Sequence, residues 1–160
     1  DTYRALAEQT PKQRAVIVYD SMWGSTGIMA SAIASGLEDE GVPVRIIDIQ
    51  KNHHSDVMTE LADCGAVIVG SATHNNNVLP GIADVLTYMK GLRPLNRVGA
   101  AFGSYGWSGE SPKIIQEWLA SMNMDMPADP VKCLFVPKHE GLSQCVALGK
   151  TVAEALKAKC

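Results

Sequence analysis

The sequence lacks the features that a metal site, a disulfide framework or a nucleic-acid surface requires. Its four cysteines form no C-x-x-C pair, and the neighbouring His53 and His54 have no cysteine or carboxylate at a zinc-like spacing. No basic cluster accompanies the formal net charge of -3, which argues against a nucleic-acid reader. Apolar runs such as Ala66–Val69 are too short to span a bilayer, and no signal segment opens the chain. We therefore expect reduced thiols, no metal, no nucleic-acid or membrane partner, and a cytoplasmic location.

The length and composition are those of a single domain. At 160 residues, with 46% hydrophobic and 19% charged residues, the chain can bury a substantial core. Residues 1–13 are polar and helix-tolerant, and Pro11 precedes the first apolar run, a pattern that resembles the end of a linker. We interpret residues 1–13 as a linker remnant and residues 14–160 as the domain.

Five short runs rich in β-branched residues predict five strands. The first and third are almost continuously apolar, as expected of strands that are buried on both faces of a parallel sheet. The predicted strands are Ala15–Asp20, Val44–Ile49, Ala66–Ser71, Val98–Ser104 and Lys132–Pro137.

Segments with helical periodicity separate these strands. Met29, Ile33 and Leu37 recur at i, i+4 and i+8, and Gly41 follows as a C-terminal stop signal. Similar stripes predict helices around residues 82–89, 114–122 and 148–156, with a weaker pattern at 55–62. Strands that alternate with helices predict a parallel sheet with right-handed crossovers. We expect an α/β, flavodoxin-like three-layer sandwich whose five-stranded parallel sheet has the order 2-1-3-4-5.

Ligands of such sheets bind beyond the carboxyl ends of the strands where the strand order reverses, which makes the loops after strands one, three and four the candidate site. The first loop leads directly into a helix, whose unpaired N–H groups and dipole can hold phosphate. The loop has hydroxyl donors and a glycine but no Lys or Arg, which suits a phosphate group that is held and not transferred. The alternative is that Ser25 or Thr26 only caps the helix. Its candidate residues are Ser21, Met22, Trp23, Gly24, Ser25 and Thr26.

The other two loops offer groups that suit a planar ring. After strand three, consecutive asparagines can present amide groups to a polar ring edge, with turn formation as the alternative. After strand four, two large aromatic residues lie among glycines, which indicates a stacking platform, with burial beneath the loop as the alternative. The candidates are Ser71, Ala72, Thr73, His74, Asn75 and Asn76 after strand three, and Ser104, Tyr105, Gly106, Trp107, Ser108 and Gly109 after strand four.

One planar, phosphorylated ligand accounts for all three loops, and flavin mononucleotide (FMN) fits that description. Trp107 or Tyr105 is the expected stacking residue. Glu110 is the one formally charged residue in the loops, and no side-chain cation there offsets the phosphate or the reduced ring. A low reduction potential is therefore expected. We predict an FMN-binding domain over residues 14–160, with cofactor-binding residues and no catalytic ones.

The same loops resemble those in the flavodoxin-like domain of the flavodiiron proteins, also called A-type flavoproteins, and the resemblance runs from about Arg14 to the final helix. Trp23 contributes to it, since ordinary flavodoxins lack a tryptophan there. Ala72 stands where the family usually has proline, and Asn77 where glycine is common, and both changes concern loop rigidity near the flavin. The matching strings are Tyr19–Thr26, Gly70–Asn76 followed by Val78–Pro80, and Phe102–Glu110.

The resemblance implies a larger redox protein. Family members join this domain to a metallo-β-lactamase-like domain with a di-iron centre that reduces oxygen to water or nitric oxide to nitrous oxide. Electrons pass from a rubredoxin-like donor through the FMN to the iron, usually of the other subunit, in a parent homodimer or homotetramer. This chain contains no H-x-E-x-D-H run of iron ligands. The implied role is an electron relay, without gas reduction by this chain alone.

Three alternatives share the topology. A stand-alone flavodoxin needs the same loops and differs in what else the gene encodes, whereas a flavin-dependent quinone reductase needs a substrate pocket over the ring. A signalling receiver needs a phospho-acceptor Asp beside further acids and a Lys after strand five. Asp20 and Lys138 are available for those roles, but the acidic pair is missing.

Overall fold

The computed structural model covers a parallel sheet and the helices on its two faces. The predicted linker at residues 1–13 and the weakest predicted helix at residues 55–62 lie outside the described residues. The structure describes residues 14–20, 25–49, 64–72, 80–92, 98–105, 110–121, 124–128, 130–134 and 139–159.

These residues form five strands and four helices. The strands are β1 (Ala15–Asp20), β2 (Val44–Asp48), β3 (Ala66–Ala72), β4 (Val98–Tyr105) and β5 (Val131–Leu134). The helices are α1 (Ser25–Asp39), α2 (Pro80–Leu92), α3 (Glu110–Ser121) and α4 (His139–Lys159). The observed strand boundaries lie within one residue of the predictions, except at the end of β5, where the predicted residues 135–137 lie outside the described part of the chain.

All neighbouring strands pair in parallel in the order β2-β1-β3-β4-β5, which confirms the predicted topology. β1 has a partner on each side: Tyr19 lies opposite Asp48 of β2, and Asp20 lies opposite Ser71 of β3. The chain adds β2 on one side of β1 and β3 on the other. The strand order therefore reverses between β1 and β3.

Each face of the sheet buries its own hydrophobic cluster. Ala15 and Ile17 of β1 point to the face that α1 and α4 cover, whereas Val16 and Val18 point to the face that α2 and α3 cover. All four side chains are fully buried. A strand that is buried on both faces needs apolar residues at successive positions, which explains the continuous apolar run. Helices on both faces confirm the three-layer sandwich.

The C-terminus of α1 is capped around a glycine. Gly41 has a φ of 79°, and its N–H donates to the carbonyl of Glu38 at 2.9 Å, while the N–H of Val42 donates to the carbonyl of Leu37 at 3.0 Å. These two bonds form a Schellman motif, in which a left-handed residue lets the last helical carbonyls find partners. The stop signal at Gly41 is confirmed.

A short segment after α3 extends the pairing beside the start of β4. The N–H of Gly99 donates to the carbonyl of Asp125 at 2.8 Å, next to a parallel bridge between Val98 and Asp125. A Cβ atom on Gly99 would lie 2.9 Å from the sulfur of Met126, so the glycine makes room for that side chain. The sequence pattern did not predict this pairing.

Two glycines bring the backbones of α1 and α4 into direct contact. A Cβ atom on Gly36 would lie 2.2 Å from the carbonyl oxygen of Val146, and one on Gly149 would lie 2.2 Å from the carbonyl oxygen of Ile33. Both neighbours are backbone atoms, which cannot rotate away as the end of a side chain can. The crossing therefore has no room for a methyl group, and it fixes α1 against α4.

Replacing Gly149 with alanine should destabilise the domain, although alanine is the better helix former. The gain in helix propensity is about 1 kcal/mol, whereas overpacking costs about 1–3 kcal/mol and occasionally more. A clash with backbone on α1 belongs at the upper end of that range. We expect the free energy of unfolding, measured by urea titration, to fall by about 2 kcal/mol.

Ser35→Ala is the matched control, because Ser35 is exposed on α1 beside Gly36. Its unfolding free energy should stay within about 0.5 kcal/mol of the parent value. A Gly149→Ala protein as stable as the Ser35→Ala protein would contradict the close helix contact.

Candidate functional site

The carboxyl ends of β1, β3 and β4 lie side by side at one edge of the sheet. Asp20 is the partner of Ser71, and Ser71 is the partner of Gly103. One residue further along, Ala72 is the partner of Ser104. Because the strand order reverses between β1 and β3, this carboxyl edge is where a ligand is expected. All three candidate loops leave from it.

The first candidate loop is short and ends in a helix N-terminus. Residues 21–24 connect Asp20 to the start of α1 at Ser25. The first turn of α1 contains no acidic residue, so no carboxylate in that turn opposes the binding of an anion at the positive end of the helix dipole. Thr26 is fully buried in the same turn. We refer to the place where the strand order reverses, between β1 and β3, as the switch point. A helix N-terminus with neutral donors beside this point fits a phosphate group.

The other two loops start from well-defined strand ends. Ser71 is fully buried near the end of β3, which continues to Ala72. Across the loop, α2 begins at Pro80 and also has no acidic residue in its first turn. β4 extends to Tyr105, one residue beyond its predicted end, so Ser104 and Tyr105 belong to the strand and not to the loop.

The structure brings part of the predicted site to this edge. Among the predicted residues, the described ones are Ser25, Thr26, Ser71, Ala72, Ser104 and Tyr105. The others lie outside the described residues, and their roles stay predictions: Ser21, Met22, Trp23, Gly24, Thr73, His74, Asn75, Asn76, Gly106, Trp107, Ser108 and Gly109.

Sequence reasoning missed a row of residues that crosses the sheet directly below the carboxyl edge. Asp48, Tyr19, Gly70 and Phe102 are successive partners on β2, β1, β3 and β4. A Cβ atom on Gly70 would lie 2.2 Å from the ring of Phe102, so the ring covers the glycine. Tyr19 could have been predicted as part of the site, because it lies two residues before the first loop. Nothing in the sequence near Asp48 indicated that this residue would pair with Tyr19.

Tyr19 connects three elements on the face that α1 and α4 cover. Its phenol hydroxyl donates a hydrogen bond to the carboxylate of Asp48, and its oxygen lies 3.2 Å from the position that a Cβ atom on Gly27 would take. Burial, followed by the charge and the hydrogen bond of Asp48, raises the pKa of Tyr19 above its ordinary value of 10.0. The phenol therefore stays protonated at neutral pH and can act as a donor.

Asp20 places a formal negative charge at the switch point. Its side chain is buried, with 7% exposed, and its strand partner Ser71 is fully buried. The count of formal charges in the three loops left out Asp20, because Asp20 is the last residue of β1. Along the line of strand partners Asp20, Ser71 and Gly103, the next residue is Lys132 of β5. Lys132 is three strands from Asp20, a separation of roughly 14 Å, which exceeds the Debye length of about 10 Å.

The described part of the chain has neither a cluster of metal ligands nor a membrane-spanning helix. No three His, Cys, Asp or Glu side chains there lie close enough together to hold a metal ion. Of the helices that the structure describes, none combines the length and the apolar character needed to cross a membrane. The described residues at and just below this edge offer backbone N–H groups, hydroxyl groups and the carboxyl groups of Asp20 and Asp48.

The flavodoxin family matches this chain over residues 17–149. Rubredoxin-oxygen oxidoreductase of Megalodesulfovibrio gigas is 53% identical to it over 157 residues, which cover 98% of this chain and 39% of that protein. The chain therefore spans about two fifths of the length of such relatives.

Solved structures relate the chain both to part of a longer protein and to a whole one. The flavodiiron protein from Giardia intestinalis has a TM-score of 0.89 at 28% identity, over 96% of this chain and 38% of that one. A flavodoxin from the domain Archaea has a TM-score of 0.81 at 35% identity, over 90% of this chain and 99% of that one.

Tyr19 should make the stability of the domain fall at alkaline pH. Its pKa is raised in the folded state, so its contribution is fully present below about pH 10, the ordinary pKa of a tyrosine, and is lost as the pH rises through the folded pKa. In urea titrations at a series of alkaline pH values, the free energy of unfolding should fall less steeply with pH for Tyr19→Phe than for the parent.

The other three tyrosines are present in both proteins, so the difference isolates Tyr19. Asp48→Asn should give an intermediate slope, because it removes the charge and keeps an acceptor. If the free energy of unfolding depends on pH in the same way for the parent and for Tyr19→Phe, the phenol of Tyr19 has the same pKa in the folded and unfolded states.

Proposed function

The chain belongs to the flavodoxin family, and from that premise we propose that this FMN-binding domain relays electrons from a rubredoxin-like donor to a di-iron oxygen or nitric oxide reductase domain in a longer parent protein. The alignment of the ends of β1, β3 and β4 at the switch point is the observation that carries the proposal. The loops predicted to hold the phosphate, the polar ring edge and the ring face follow these three strand ends in the sequence, which supports one shared site.

The residues at this edge have separable tasks. The first turn of α1 would hold the phosphate through backbone N–H groups, with Thr26 buried in that turn. When bound, FMN supplies a ring that accepts and releases electrons one or two at a time. Tyr105 or Trp107 would stack on the ring, and the asparagine loop would bind its polar edge. The protein's part is to hold the cofactor and set the field around it.

Relay is favoured over catalysis by what the relatives contain beyond this chain. The relative named for rubredoxin and oxygen matches here over 39% of its length, and another, from Moorella thermoacetica, is named a nitric oxide reductase and matches over the same share. The present sequence has no H-x-E-x-D-H run of iron ligands. The gas chemistry in those names therefore belongs, in this proposal, to a part of the parent protein outside these residues.

A stand-alone electron carrier is the second candidate. It is favoured by the flavodoxin from the domain Archaea, of which this chain covers 99%. No described residue favours the third reading, a quinone reductase, over these two. The carrier and the relay need the same edge, so they differ in the partner that takes the electrons.

A three-component assay tests the relay. The FMN-loaded chain, chemically reduced rubredoxin and a separately prepared di-iron domain of a flavodiiron protein are mixed, and oxygen consumption is recorded. We expect consumption that requires all three components and exceeds the rate with free FMN at equal concentration. A chain that passes electrons to cytochrome c but gives no oxygen consumption would support the stand-alone carrier. Steady turnover of NAD(P)H and benzoquinone by the loaded chain alone would overturn both in favour of the reductase.

Asp20→Asn should raise the reduction potential of the bound FMN. The substitution removes a buried formal negative charge at the switch point, and with it a repulsion that opposes the addition of electrons. At an effective protein dielectric constant, a charge about 10 Å away is worth on the order of tens of millivolts. Anaerobic potentiometric titration measures the shift.

Asp39→Asn is the control, because Asp39 is exposed at the far end of α1, roughly 20 Å from its first turn. Its potential should match that of the parent. Equal potentials for Asp20→Asn and Asp39→Asn would mean that the charge of Asp20 does not act on the cofactor.

A further inference from the structure

We propose that Tyr19 is a positioning residue for the phosphate of the flavin: its phenol connects the end of β2 with the first turn of α1 and so fixes the direction in which the N–H groups of that turn point. The inference deepens the proposed function by taking FMN as the ligand of this edge. It does not depend on which protein donates or receives the electrons.

The first step is the pairing of Tyr19 with Asp48. The two residues are direct partners in the parallel register of β1 and β2, which puts their side chains on the same face of the sheet. The N–H of Ile49 donates to the carbonyl of Tyr19 at 3.0 Å, so pairing continues one residue past the end of β2. The phenol hydroxyl donates to the carboxylate of Asp48. The end of β2 and the end of β1 are thus joined through backbone and side chain.

The second step is the contact between Tyr19 and α1. The Oη, Cε2 and Cζ atoms of Tyr19 lie 3.2, 3.3 and 3.4 Å from the position of a Cβ atom on Gly27. A Cβ atom on Gly27 would therefore lie closer to the phenol than ordinary van der Waals contact allows, so the ring takes up the space beside the glycine. Gly27 is in the first turn of α1, next to the fully buried Thr26. The ring therefore sets how closely this turn approaches the sheet.

The third step is the consequence for ligand binding. The Gly36–Gly149 crossing fixes α1 further along, and the contact with Tyr19 fixes its first turn. Residues 21–24 connect Asp20 with Ser25, so this loop begins one residue after Tyr19 on β1 and ends in the turn that Tyr19 lies beside. Hydrogen bonds weaken steeply when their geometry is poor, and a small displacement of the first turn would weaken several at once. Tyr19 lies on β1, whereas the loops that are proposed to contact the flavin ring follow β3 and β4. A change at Tyr19 should therefore affect the binding of the phosphate more than the binding of the ring.

The test compares two ligands that differ in the phosphate alone. Apoprotein of the parent, Tyr19→Phe and Gly27→Ala is titrated with FMN and with riboflavin, and Kd is obtained from the quenching of flavin fluorescence. For Tyr19→Phe we expect a Kd for FMN about five- to tenfold higher, as expected for the loss of one hydrogen bond of about 1 kcal/mol, with the Kd for riboflavin within about twofold. Inorganic phosphate should also compete less well with FMN in this variant.

Gly27→Ala gives an independent second measurement. It keeps the hydroxyl but pushes the ring by a few tenths of an ångström, and alanine favours the helix, so folding is not at risk. We expect the ratio of the two Kd values to change in the same direction as for Tyr19→Phe. Thr87→Val is the matched control, because it removes an exposed hydroxyl that bonds to the carbonyl of Ala83 at 2.8 Å on α2. Both of its Kd values should equal those of the parent.

The outcomes separate this inference from the proposed function. The inference is overturned if, in both Tyr19→Phe and Gly27→Ala, the Kd values for FMN and riboflavin rise by the same factor or stay unchanged. Tyr19 would then have at most a structural role. A selective loss of FMN affinity supports it, even if the loaded chain then fails to take electrons from rubredoxin. That second failure would count against the relay alone.

Discussion

Parallel pairing of β1 with a neighbour on each side is the constraint on which the rest of the molecule depends. Since β1 is buried on both faces, the chain must supply apolar helices above and below the sheet. Since β2 and β3 attach on opposite sides, the order reverses at the carboxyl end of β1 and opens the ligand crevice there. The register then decides which side chains meet at the crevice, Asp48 and Tyr19 on one side and Asp20 and Ser71 on the other.

The same constraint makes α1 the element that connects stability with ligand binding. Its middle is held against α4 by backbone contact at Gly36 and Gly149, and its first turn rests on Tyr19. Its far end is closed by the cap at Gly41. A helix held along its length can present its N-terminal N–H groups in one fixed direction without a charged side chain to grip the ligand. If the first turn of α1 holds the phosphate as proposed, these three contacts serve ligand binding as well as stability.

Features encoded locally were predicted from the sequence, and features that depend on tertiary contacts were not. Apolar runs and helical stripes predicted the alternation of strands and helices, the bounds of the first four strands within a residue and the stop at Gly41, because burial and backbone conformation act on neighbouring residues. The bridge at Asp125 and the glycine crossing of α1 and α4 were missed, since they join distant residues without a periodic signal. Asp48 was missed for the same reason. The three candidate loops were predicted because unusual residues cluster within a few positions after a strand, and their role in binding stays a prediction.

The charge balance at the carboxyl edge explains why a domain of this kind suits transport of electrons. Backbone N–H groups are dipoles, so they bind a phosphate without adding a full positive charge. In the row that runs from Asp20 through Ser71 and Gly103 to Lys132, the two formally charged residues lie three strands apart. Asp48 on β2 adds a second carboxylate beside Tyr19. Negative charge on this side of the sheet opposes the addition of electrons and favours their release. In the proposed relay the domain has to release the electrons that it takes up, and holding the cofactor through neutral donors would meet that requirement while the phosphate stays bound.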